Sequence, residues 1–153
     1  MGRAWADNRT SKLLIAAFVL AIIHHIDHVL RADHSGWPFR PEVTPFTFSL
    51  LIHPIFITAL LVRSLKVRFA LVLLLFSFAQ FAHMGMETPH DQYHTWATGV
   101  SDFAETAGQP NLLHVSSPTL GYFAVVVSVL LSTFLLATLI SLAFDMRKRR
   151  ATD

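Results

Sequence analysis

His24 and His28 stand four residues apart, as do His90 and His94, and His83 lies four residues before Glu87. Residues at i and i+4 share one face of a helix, so each histidine pair could grip a single ion. Asp27 falls on the same face as His24, His28 and Arg31, at i, i+3, i+4 and i+7. Gln80, His83 and Glu87 form a second polar stripe, and Ser49 with His53 a third. Imidazole is the commonest metal ligand in proteins. The candidate ligands are therefore His24, His28, His53, His83, His90 and His94. Asp27 and Glu87 are the candidate catalytic groups, each able to act as general base on a metal-bound water. Asp27 could instead hold the far nitrogen of a ligating histidine, or pair with Arg31.

The chain has nine histidines and no cysteine. Thiolate zinc sites and cysteine-held iron–sulfur clusters are excluded. Zinc, copper and iron all accept histidine, and Met84 and Met86 beside His83 add soft donors that would favour copper(I). Haem b is the alternative cofactor, with His53 and either His24 or His83 as axial pair. A third reading needs no cofactor. Clustered histidines protonate between about pH 5 and 8 and repel one another, as in a non-enzymatic pH-responsive or accessory membrane subunit. His34 and His114 are expected in water, and His25 is expected only to pack.

Long apolar segments must position these groups. Apolar residues make up 53% of the chain and charged residues 14%, against about 25% charged in a soluble domain. The expected fold is a single all-α domain: a polytopic bundle of four transmembrane helices over residues 13–30, 45–62, 69–86 and 118–144. Each span is near the ~20 residues that cross the hydrocarbon core. The short apolar core of the first span resembles that of a signal peptide. No small-x-small cleavage site follows it, so the span is expected to be retained.

Basic residues set the expected orientation. Arg3, Arg9 and Lys12 precede the first span, and Arg63, Lys66 and Arg68 fill the short turn between the second and the third. Arg147, Lys148, Arg149 and Arg150 follow the fourth. Only Arg31 and Arg40 fall on the opposite side. The positive-inside rule then puts both ends of this chain and the 145–153 tail in the cytoplasm, within a plasma membrane. The basic residues flank spans, so the expected partner is the bilayer, with a homo-oligomer or larger membrane complex also open, and not nucleic acid.

Outer loops are expected at 31–44 and 87–117. The second is long enough that a surface helix is expected within it, with Thr88 capping a turn that begins at Pro89. Ala124, Ser128 and Ser132 recur every four residues and predict a close-packing face. At ~1.5 Å rise per residue, His24 and Gln80 lie about 9 Å below the outer boundary, His83 about 5 Å and His53 about 12 Å. Ionisable groups at such depth face the bundle interior and mark a site. His24, His28, His53 and His83 are thus expected to converge.

Overall fold

The computed structural model describes residues 9–31, 49–103 and 106–151, the side chain of Arg150 excepted. Five α-helices follow in order: α1 Arg9–Arg31, α2 Ile52–Leu61, α3 Leu65–Phe81, α4 Pro89–Thr98 and α5 Pro118–Arg150. A π-helical turn, Ala82–Met86, continues α3. Among the described residues, three helices are long and apolar enough to cross a membrane: Arg9–Arg31, Leu65–Met86 and Pro118–Arg149. The expected second span is shorter where it is described, an apolar helix over Ser49–Leu61, and residues 45–48 lie outside the described residues.

The core is a stripe from each of four helices. Leu14, Ala17 and Ala21 of α1 meet Phe56 and Ala59 of α2, Val72, Leu75 and Ala79 of α3, and Leu131, Leu135, Leu139 and Leu142 of α5. These positions recur at three- and four-residue intervals, the period that keeps one helix face inward. The opposite faces remain apolar too: Ile15, Val19, Ile22 and Ile26 on α1, and Phe123, Val126, Leu136 and Ile140 on α5, are exposed. A coat of this kind suits lipid, which makes no demand for a polar outer surface.

Polar contacts close one end of the bundle. Thr10 Oγ1 donates to Asp145 Oδ2 at 2.8 Å and lies 2.7 Å from Ser141 Oγ. The start of α1 therefore lies beside the end of α5, and the two helices run antiparallel. Arg68 joins this end through its electrostatic interaction with Asp145 and Arg149. It also serves the helix before it. Its Nη2 donates to Val62 O at 2.7 Å and to Leu60 O at 3.4 Å, satisfying carbonyls at the α2 C-terminus. The described members of the three basic clusters, Arg9 and Lys12, Arg63, Lys66 and Arg68, and Arg147 to Arg149, thus share one end of the molecule.

At the other end, Thr88 and Asp91 form a reciprocal capping box and Pro89 opens α4. This helix lies within the expected 87–117 loop, but it is no mere surface element. It buries Gln92, Thr95 and Trp96. Gly121 allows its close approach: a Cβ there would come within 2.8 Å of both the Tyr93 ring and the Tyr93 carbonyl oxygen. Gly121→Ala is expected to push α4 off α5 and cost about 1–3 kcal/mol, read as a lower unfolding midpoint in detergent. Because the carbonyl is backbone, adding Tyr93→Ala should restore only part of the loss. An unchanged midpoint would show that α4 has room to shift.

Beyond α4, Gly99 adopts φ 88° and ends the helix. The Asn111 side chain donates to Val115 O at 2.7 Å, and Leu112 N donates to Leu30 O at 2.8 Å. That last bond ties the returning segment to the end of α1.

Candidate functional site

The stripe His24–Asp27–His28–Arg31 forms because α1 is unbroken to Arg31 and carries its apolar face, Leu14–Ala17–Ala21, directly into it. Arg31 is 1% exposed and organises the C-terminal end of this stripe. Its Nε donates to Asp27 Oδ2 at 2.8 Å, and Nη1 pairs with Glu87 Oε1. Its Nη2 lies 3.3 Å from His28 Nδ1. A guanidinium has only donors, so it can serve two carboxylates and an imidazole lone pair together.

Asp27 is fully engaged. Its second oxygen accepts from the indole N–H of Trp96 at 2.7 Å. A buried indole needs an acceptor, and this bond locks α4 onto α1. Glu87, also 1% exposed, takes Gln92 Nε2 at 3.3 Å on Oε2, and the same oxygen lies 3.4 Å from His28 Nε2.

The imidazoles meet one another directly. His24 Nε2 and His28 Nε2 are 2.9 Å apart. The His24 ring centre is 4.4 Å from that of His28 and 4.6 Å from that of His83. Ser128 Oγ donates to Gln92 Oε1 at 2.7 Å and lies 3.3 Å from His24 Nδ1, while Gln92 Nε2 lies 3.1 Å from His83 Nδ1.

Tautomers follow from this network. Arg31 donates to His28 Nδ1, so the proton of a neutral His28 sits on Nε2 and points at His24 Nε2. His24 then donates from Nδ1 to Ser128 Oγ, and the Ser128 hydroxyl donates in turn to Gln92 Oε1. Gln92 donates to Glu87 and to His83 Nδ1, leaving the His83 proton on Nε2. The arrangement is a continuous hydrogen-bonded chain through α1, α4, α5 and the π turn.

His24, His28 and Glu87 each offer one ligand atom, and the three lie within 4.8 Å of one another. His83 flanks them through its contact with His24. His53 does not join them: its ring lies 5.3 Å from His25 and 6.0 Å from Phe18. His25, expected only to pack, lines a chamber beside the cluster.

His90 and His94 stack at 5.8 Å on α4 and form a separate group. Asp102 Oδ2 lies 3.8 Å from His90 Nδ1 and 3.5 Å from His94 Nδ1. His90, with its side chain 73% exposed, Asp91 and Asp102 also bring ligand atoms within 4.8 Å. His114 is exposed, and His34 lies outside the described residues.

Three residues of the inner network had no functional reading in the sequence: Gln92, Trp96 and Ser128. Ser128, expected only to pack closely, is hydrogen-bonded to the site, and Ser132 accepts from Gln80 Nε2 at 3.0 Å. A usable signal existed in α4, where Gln92, Thr95 and Trp96 follow helical i, i+3, i+4 spacing on one face.

The chamber is about 270 Å³ and lies between α1, α2, α3 and α5. Its wall is apolar except at the end made by His24, His25, His28, His83, Ser49 and Glu87. No protein-family model matches the chain, and no curated protein or solved structure is significantly similar to it.

Proposed function

We propose that this chain is a four-span membrane protein that holds a divalent transition-metal ion near its outer face, between His24, His28 and Glu87. The observation that carries the reading is the convergence of three buried ligand atoms from two segments within 4.8 Å. Two imidazoles and a carboxylate suit zinc or iron(II). Met84 is 78% exposed while Met86 lines the chamber with His83, which gives copper(I) less support than zinc or iron(II).

The surroundings support the same reading. Ser128 accepts from the far nitrogen of His24, as the outer partner of a ligating histidine does. Asp27 acts as a positioning residue through Arg31 and Trp96. Ligation through His28 Nε2 requires the proton on Nδ1, so Arg31 must then turn wholly to its carboxylates. When bound, the ion supplies a Lewis acid or a water of lowered pKa. The chamber beside it suits action on a membrane-borne molecule better than metal storage.

The hydrogen bond between His24 and His28 favours a second reading, an accessory or pH-responsive subunit whose polar network needs no ion. Haem b, with His53 and either His24 or His83 as axial pair, is the alternative cofactor. Elemental analysis and a visible spectrum of purified protein separate these readings. Stoichiometric zinc or iron without a Soret band is expected. Absence of metal in folded protein supports the subunit, and a Soret band supports haem.

The orientation belongs to the same proposal, with the cytoplasm at the end where the basic clusters gather. Reporter fusions after Asp153 and within 99–117 should read cytoplasmic and external, respectively. The reverse pattern would place the site at the inner face.

A further inference from the structure

We propose that the chamber binds a neutral lipophilic molecule of the bilayer, an amphiphile with an apolar body and one oxygen-bearing end, as the substrate class of the metal site. The inference rests on the reading of that site, but binding and metal content are measured separately. Small-molecule sites are mostly apolar with a few polar groups at one place, and occupy roughly 300–1,000 Å³. This chamber, at about 270 Å³, lies close to that range.

Its composition divides sharply. Phe56, Leu75, Ala79, Leu131 and Leu135 line the body, and His24, His83 and Glu87 stand at the polar end. No lysine or arginine lines it among the described residues, and the Glu87 carboxylate stands there, so no side-chain cation offsets the charge of a phosphate head group. A hydroxyl or carbonyl oxygen is matched, by an imidazole N–H or by the ion. Access is from the side. Phe78 and Phe81 belong to the wall, yet are 39% and 66% exposed on a helix apolar enough to span the membrane. A molecule dissolved in the acyl region reaches the imidazoles past these rings without crossing water.

The test uses the full chain in lipid nanodiscs and a hexadecanol bearing a mid-chain diazirine. After irradiation, labelled residues are mapped by mass spectrometry. Labelling is expected on Leu75, Phe78 and Leu131, competed by hexadecanol and not by hexadecane. Ala82→Phe and Ala79→Phe, which add bulk to the wall, should each reduce that labelling at least about tenfold while leaving the metal content of folded protein unchanged. Labelling spread over Leu74, Leu136 and Ile140, or equal competition by the alkane, would overturn the proposal. Site-directed labelling in protein that binds no metal would retain the chamber and remove the metal reading.

Discussion

His24→Ala and His28→Ala are each expected to abolish stoichiometric metal binding in folded, monodisperse protein. Each removes one of the three ligand atoms that converge among the described residues, and the remaining two cannot hold a buried ion against solvent competition. Glu87→Gln should do the same, because an amide is a far weaker ligand than a carboxylate. Ser128→Ala removes the partner of the far nitrogen of His24 and should weaken affinity about 10–100-fold. His53→Ala is the internal control: its ring meets His25 edge-on and Phe18 at a tilt, so metal content should stay unchanged. Titration with zinc and elemental analysis across the series provide the readout. If the inner variants keep their metal while His90→Ala and His94→Ala lose it, the ion sits on the exposed face of α4.

The second large effect concerns stability. Arg31→Met should lower stability by about 3–5 kcal/mol, the usual result of breaking a buried ion pair from one side. Asp27 and Glu87 both lose the guanidinium that faces them, in a place where it is 1% exposed. At about 2–4 °C per kcal/mol, the unfolding midpoint should fall on the order of 10 °C. Adding Glu87→Gln removes one of the two carboxylate charges and should recover part of the loss. If the double variant is no more stable than Arg31→Met, the fall comes from lost packing around the arginine stem and not from charge.

Local periodicity carried much of this molecule. His24, Asp27, His28 and Arg31 share a face because α1 is an unbroken helix, and helical spacing needs no knowledge of the rest of the chain. The Thr88–Pro89 start of α4 was legible for the same reason, since a cap acts across three residues. Three of the expected spans coincide with helices long and apolar enough to cross a membrane, because length and apolarity are local properties of the chain. The second is seen only from Ser49 onward, and its expected first residues lie outside the described ones.

Rotation of one helix against another was not legible. Depth put His53 within reach of His24, but depth does not fix azimuth. Stacking of Phe18 on Phe56, with ring centres 5.2 Å apart, accompanies the turn of His53 toward His25. Glu87 posed a related problem. Its amide bonds to Ala82 O at 2.8 Å, so the turn before it is π and not α. One wide turn changes where the next side chain points, and α-helical spacing from His83 cannot anticipate it.

The polar network depends most on tertiary contact. Trp96 reaches Asp27 across 69 positions, Ser128 reaches His24 across 104, and Gln92 reaches Ser128 across 36. Periodicity shows which residues of a helix stand together, because neighbours along a helix are neighbours in space. It does not show which of two helices they will face. That follows from side-chain fit and from the high cost of a buried polar group without a partner. Here both forces act through α4, whose Gln92 and Trp96 make the segment between α3 and α5 a cover for the histidine cluster.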